Sequence, residues 1–169
     1  ADPARHAAFP FPHDLTLAVA LRDATLTITT TLRPTTDVAV PVSFGFHPYL
    51  RLPRAPREQW IVDFPVRSRL LLDERSIPTG ATEEVRFDRA ALGTRAFDDA
   101  FGDIRPPRVF TMEDGGRRIE VEFGDAYPYA QIYAPAGSDF LCIEPMTAPA
   151  NALVTAGDAL RLVGEGQAF

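Results

Sequence analysis

Hydrophobic and polar residues alternate along most of this chain. Leu15, Leu17, Val19 and Leu21 fall on one side of an extended segment, with Thr16, Ala18 and Ala20 on the other. Leu26, Ile28, Thr30 and Leu32 repeat the pattern, with threonines between them. A period of two sends successive side chains to opposite faces, so each run predicts a β-strand. Further β-like runs cover residues 38–42, 60–64, 68–72, 109–112, 118–123, 130–133, 140–143 and 159–163. Between two of them, Asp114-Gly115-Gly116 is a hairpin signal. Helical periodicity is scarce, and residues 88–99 leave room only for a short helical turn around 89–92. The 16 prolines break helices and mark turns, strand starts or sheet edges. The expected architecture is all-β and mostly antiparallel, with two packed sheets. No repeat, low-complexity tract or linker interrupts it, so residues 1–169 are read as one domain.

Composition narrows the function. The chain has 169 residues, 46% hydrophobic and 24% charged, enough to bury a core without disulfides or metal staples. Its net charge of −6 and pI near 5.0 argue against nucleic acid or an anionic membrane as the main partner. Cys142 is the single cysteine, which excludes an internal disulfide and fits a reducing, cytoplasmic setting. No apolar run approaches the roughly 20 residues of a spanning helix, and the start resembles no signal peptide. All 17 basic residues are arginine and Asn151 is the only asparagine, a coding bias rather than a functional signal. Phe9-Pro10-Phe11-Pro12 runs into the first strand after a short polar arm, unlike the natural start of a protein.

Two segments combine ionisable side chains with backbone control. In Ser43-Phe44-Gly45-Phe46-His47-Pro48-Tyr49-Leu50, an extended backbone puts Ser43, Gly45 and His47 on one face and Phe44 and Phe46 on the other. The phenylalanines are expected in the core, Gly45 is expected to leave open space beside the imidazole, and Pro48 restricts the His47 backbone. In Phe140-Leu141-Cys142-Ile143-Glu144-Pro145-Met146-Thr147, Leu141 and Ile143 face one way, Cys142 and Glu144 the other. An apolar strand ending in a carboxylate is costly unless that group is paired or used. Burial there would raise its pKa toward the range of a working base. Taken singly, a histidine in a turn is usually a satisfied polar residue, and a strand-end glutamate is more often solvated than catalytic. His6 and His13 carry no expected role. Three histidines without close spacing and one isolated cysteine predict no metal site. Phosphate-binding glycine loops and nucleophile elbows are also missing.

Together the segments resemble a known family. The stretch around Gly45-Phe46-His47-Pro48-Tyr49-Leu50 is similar to the Gly-x-His-Pro-Tyr signature of the aldose 1-epimerases. Cys142-Ile143-Glu144-Pro145 with the residues through Ala152 resembles their closing Glu-Pro motif, and Phe97-Asp98-Asp99-Ala100-Phe101 their Asp-x-x-Phe segment. Order and spacing both fit. The resemblance implies a β-supersandwich that binds a hexose in a shallow cleft. It implies His47 as general acid toward the ring oxygen and Glu144 as general base toward the anomeric hydroxyl. Asp98 matches an aspartate that hydrogen-bonds sugar hydroxyls, with Asp99 the alternative one register away. Gln131 matches a Gln-x-Tyr strand near the cleft, though an ordinary polar strand residue fits as well.

The implied chemistry is self-consistent. Opening a hemiacetal needs one proton taken from O1 and one given to the ring oxygen, which requires no metal and no cofactor. The expected partner is therefore a small sugar. Nothing in residues 1–42 matches the family's N-terminal motifs, so its N-terminal half is expected as a separate chain or an upstream segment, with room for a homo-oligomer. Two other readings compete. Arg51, Arg54 and Arg57 suggest either a solvated loop or a sugar-phosphate mutarotase. A carbohydrate-binding or regulatory module could keep the fold without turnover, but would not need both His47 and Glu144.

Overall fold

In the computed structural model, which describes residues 3–157 and 160–169, the alternating runs become strands. The chain divides into two compact units, Ala1–Ser43 with Leu153–Phe169, and Phe44–Ala152.

The first unit contains β1 (His13–Arg22) and β2 (Thr25–Pro34), an antiparallel ribbon. A short helix, α1 (Pro3–Ala8), stands where the sequence suggested only a polar arm. Ala1 and Asp2 of that arm lie outside the described residues. The period-two pattern aligns across the ribbon: Leu15 faces Leu32, Val19 faces Ile28 and Leu21 faces Leu26. These side chains share one face, yet Leu17, Val19 and Leu21 are 54%, 65% and 72% exposed. β3 shrinks to Val40–Pro41 and pairs with a two-residue strand near the end of the chain, Leu162–Val163. Ala159 of the predicted 159–163 run lies outside the described residues.

The second unit holds the larger sheets. Its strands are β4 (Tyr49–Leu50), β5 (Ile61–Asp63), β6 (Val66–Leu72), β7 (Pro78–Glu84), β8 (Ala90–Ala91), β9 (Phe97–Ile104), β10 (Val109–Glu113), β11 (Arg118–Glu122), β12 (Tyr129–Ala134) and β13 (Leu141–Met146); the Leu162–Val163 strand is β14. One antiparallel sheet runs β4-β13-β12-β9-β6-β7 and a second runs β11-β10-β5-β8. Their inner faces share one core. Phe64, beside β5, meets Phe97 of β9 and Phe110 of β10 edge-on or tilted, at 5.8 and 6.2 Å, an arrangement favoured by ring quadrupoles. Ile132, Leu141 and Ile143 complete that core fully buried. The two packed sheets expected from the pattern are thus present.

The hairpin at Asp114 joins β10 to β11. Asp114 Oδ1 accepts hydrogen bonds from the Gly116 and Arg117 amides at 3.1 and 2.8 Å, and Gly115 takes a positive φ of 79°. The expected helical turn at 89–92 does not form. Ala90 and Ala91 instead pair with Val62 and Ile61, because the exposed edge of β5 supplies backbone partners that an isolated turn lacks. Among the described residues, no helix is long and apolar enough to cross a membrane.

Candidate active site

The antiparallel register assembles a polar row on the sheet face opposite the core. In β13, Leu141 and Ile143 enter the core, which turns Cys142 and Glu144 to the other side. Glu144 lies opposite Gln131 of β12, and Gln131 opposite Ala100 of β9. One row along, Tyr49, Cys142, Tyr133 and Asp98 stand opposite one another in sequence across four strands.

His47 reaches this face because the segment before it is sewn to the end of β13. Phe46 N donates to Pro145 O at 3.1 Å, and Thr147 N donates to Phe44 O at 2.9 Å. Gly45 bridges to Met146. A Cβ at position 45 would collide with Met146 Sδ and lie 2.6 Å from Pro145 O. Gly45 is therefore needed for close approach of two backbones, and the open space expected beside the imidazole is not there. Phe44 and Phe46 are half-buried against Tyr127, at 6.2 and 6.3 Å, at the edge of the core and not within it as expected.

This sewing brings His47 Nε2 to 3.2 Å from Glu144 Oε1. The distance is that of an ion pair, but no hydrogen bond forms: Glu144 Oε1 is buried without a hydrogen-bond partner. The imidazole is about half exposed, whereas Glu144 is 6% exposed. Tyr49 stacks on the His47 ring at 4.8 Å and Tyr133 meets it edge-on at 6.0 Å, which fixes the ring plane. Burial pushes the Glu144 carboxyl above the ordinary glutamate range, the nearby His47 pulls it partly back, and the charge of Asp98 adds to the rise.

Asp98 and Gln131 also belong to the site. Gln131 Nε2 donates to Asp98 Oδ1 at 2.8 Å, and both line a cavity of about 210 Å³ that includes Glu144. Asp99 points to the opposite face, where Arg69 Nη1 holds it at 3.1 Å, so the alternative register does not serve this cavity. The three arginines after the His-Pro motif are engaged elsewhere. Arg51 pairs with Asp139 at 2.8 Å, and the Arg54 amide donates to Asp114. Arg57 is buried, donating to the carbonyls of Arg95 and Ala134 at 2.8 and 3.0 Å, in place of the solvated loop residue expected.

The sequence spacing concealed one further grouping. Ligand atoms of His47, Cys142 and Glu144 all lie within 4.8 Å of one another, the one such trio among the described residues. Burial and the charge of Glu144 push the Cys142 thiol up to about 11. Tyr49 and Tyr133 also went unassigned from sequence. Tyr133 is the tyrosine of the same Gln-x-Tyr match that placed Gln131, and a period of two puts it on the Gln131 face.

Comparison with known proteins follows the same direction. The family model for aldose 1-epimerase matches residues 1–159. A Synechocystis protein of known structure is 29% identical, with a TM-score of 0.80 over 100% of this chain and 55% of its own. A galactose mutarotase related enzyme from Lactobacillus acidophilus is 18% identical, with a TM-score of 0.85 over 100% of this chain and 62% of its own. A galactose mutarotase-like protein from Clostridium acetobutylicum is 18% identical, with a TM-score of 0.83 over 97% of this chain and 55% of its own. The likeness shows a mutarotase-like β fold, and this chain spans between 55% and 62% of the length of these three structures. A search of curated protein sequences gave no match.

Proposed function

Because this chain belongs to the aldose 1-epimerase family, we propose that it carries the acid–base pair of a mutarotase acting on a free aldose. The observation that carries the reading is the 3.2 Å approach of His47 Nε2 to a buried Glu144 oxygen with no hydrogen-bond partner. A carboxylate in that state has an unused acceptor position, and its raised pKa makes it a better base than a solvated glutamate.

In the forward step, Glu144 takes the proton from the O1 hydroxyl as the C1–O5 bond breaks. The electron pair passes to O5, which takes a proton from the imidazolium of His47. The product is a neutral open-chain aldehyde. Rotation about C1–C2 presents the other carbonyl face, O5 re-adds, and both protons return by the reverse route to give the other anomer. Asp98 and Gln131 supply acceptor and donor atoms for ring hydroxyls beside the pair. The steps balance without a redox partner. The single cysteine, free and buried, is compatible with a cytoplasmic location.

Polarimetry of freshly dissolved α-glucose and α-galactose with the full-length protein tests the reading. Equilibration well above the buffer rate is expected. A rate equal to buffer would leave a sugar-binding module as the better description.

A further inference from the structure

Acid–base chemistry uses two members of the His47, Cys142 and Glu144 grouping and gives the third no part. Cys142 and Glu144 stand two residues apart on β13, so both side chains leave the strand on the face away from Leu141 and Ile143. His47 joins them from the segment sewn to the end of that strand. An imidazole nitrogen, a sulfur and a carboxylate oxygen converge there, all within 4.8 Å of one another.

Bond lengths decide what such a trio can hold. Zinc binds nitrogen and oxygen at about 2.0–2.2 Å and sulfur at about 2.3 Å, in a tetrahedron. Those lengths place neighbouring ligand atoms about 3.3–3.6 Å apart. His47 Nε2 and Glu144 Oε1, at 3.2 Å, already stand near that spacing. The third corner needs the Cys142 sulfur to close from at most 4.8 Å to about 3.6 Å, a turn about one side-chain bond.

The surroundings suit a cation. Glu144 is 6% exposed, and its Oε1 is buried with no hydrogen-bond partner, so an acceptor position faces the trio unfilled. The charge of Asp98 also reaches Glu144 and adds negative potential. Among the described residues, no arginine lines the cavity beside Glu144. The donor set selects the ion: imidazole and thiolate suit zinc, whereas magnesium and calcium require oxygen ligands. As the Zn–S bond forms, the thiol proton passes to solvent, a loss that the ion itself drives. Water entering past the half-exposed His47 ring fills the fourth position.

We propose that His47 Nε2, Cys142 Sγ and the Glu144 carboxylate form a zinc site, and that the bound ion blocks the cleft. Zinc and sugar then compete for the same two atoms, Nε2 of His47 and Oε1 of Glu144. Binding of the ion stands independently of the mutarotase reading, and only the block of turnover rests on it.

The test titrates the full-length protein, reduced and without a polyhistidine tag, with Co²⁺ as a coloured stand-in for Zn²⁺. A single equivalent should raise a thiolate-to-cobalt charge-transfer band and tetrahedral visible bands, and Zn²⁺ should erase both. Mg²⁺ and Ca²⁺ should do neither. Cys142→Ser should abolish the charge-transfer band and weaken Zn²⁺ binding at least about 10²-fold, since even outer-shell partners of a metal carry 10–100-fold. In polarimetry, Zn²⁺ should slow mutarotation, EDTA should restore it, and more sugar should raise the Zn²⁺ needed. The ratio of rates with and without Zn²⁺ should move toward one in Cys142→Ser. If that variant fails to fold, His47→Ala, at a half-exposed position, should show the same loss of affinity. No stoichiometric binding, or affinity unchanged by these substitutions, overturns the proposal and leaves the mutarotase reading standing. Stoichiometric binding in a protein that never accelerates mutarotation keeps the zinc site and overturns the mutarotase reading instead.

Discussion

Thr147 holds Phe44 at both of its backbone polar groups: its hydroxyl accepts from the Phe44 amide at 2.9 Å and donates to the Phe44 carbonyl at 2.9 Å. Three residues on from Phe44 is His47, so this clamp sets where the imidazole stands relative to Glu144. Thr147→Val keeps the shape and removes the hydroxyl. Its kcat is expected to fall roughly 10-fold to 10²-fold through misplacement of the acid, with little change in KM. Thr147→Ser should restore most of the rate. A loss in stability without a change in kcat would show that Thr147 serves folding alone.

Removing the proposed base should separate activity from stability. Glu144→Gln is expected to lower kcat at least about 10²-fold, with a smaller change in KM. The folded-state pKa of Glu144 is raised, so folding penalises its ionised form. Above that pKa the neutral amide should therefore raise the melting temperature. Below the unfolded-state pKa of a glutamate both side chains are neutral, and the gain should vanish. Thermal melts of both proteins across pH 4 to 8 check the sign.

Under the mutarotase reading, the acid limb of the pH–rate profile should report the same group. With its pKa raised chiefly by burial, partly lowered by His47 and raised again by Asp98, the limb should lie above the ordinary carboxylate range. Asp98→Asn removes one negative charge and should move the limb to lower pH, while KM rises as a hydroxyl partner is lost. A limb that stays in place would mean another group limits the rate.

Arg57 makes a different kind of prediction. Its guanidinium satisfies the carbonyls of Arg95 and Ala134 from a buried position. Arg57→Ala should cost about 1.5–3 kcal/mol in denaturant titrations, because charged hydrogen bonds are lost and the buried Ala134 carbonyl is left bare. Turnover measured well below the melting point should be little affected. Arg51→Ala, whose ion pair with Asp139 is exposed, should change stability hardly at all.

The β1–β2 ribbon bears on association. Its face of Leu15, Leu17, Val19, Leu21, Leu26 and Ile28 is an unusually continuous exposed apolar surface. Residues 1–169 expressed by themselves should self-associate, and Val19→Lys with Leu21→Lys should shift them toward monomer in light scattering. A monodisperse monomer before substitution would refute the expectation.

Much of this arrangement was legible from spacing alone, and the failures share a cause. The alternation in β13 put Glu144 on the face away from Leu141 and Ile143, whereas Gln131 was placed by the resemblance to a Gln-x-Tyr strand; in β12 buried and half-buried residues alternate with the expected period of two. β9 escaped notice as a strand. Phe97–Ile104 carries three aspartates and a glycine, poor strand formers, and is extended because β12 and β6 pair with it on both sides. β7 contains Pro78 and Gly80, which likewise obscure a strand held by its neighbour. Arg57 was taken for a surface residue because nothing local predicts burial of a charge; its partners arrive from Arg95 and Ala134. Gly45 was misread for the complementary reason, since the chain it must admit, at Met146, is remote in sequence.

The strand order of the larger sheet ties the site to the kinetics of folding. β4, β13, β12 and β9 stand side by side, so the chain must bring residues 47–50 against 141–146 before His47 and Glu144 can meet. Such pairings close long loops, which makes them slow to form relative to local hairpins such as β10–β11. The proposed His47–Glu144 pair therefore has no partly assembled form: the β10–β11 hairpin can nucleate early without a trace of the site. In a refolding experiment, recovery of mutarotation should lag the first strand signal and keep pace with closure of the last nonlocal strand pair.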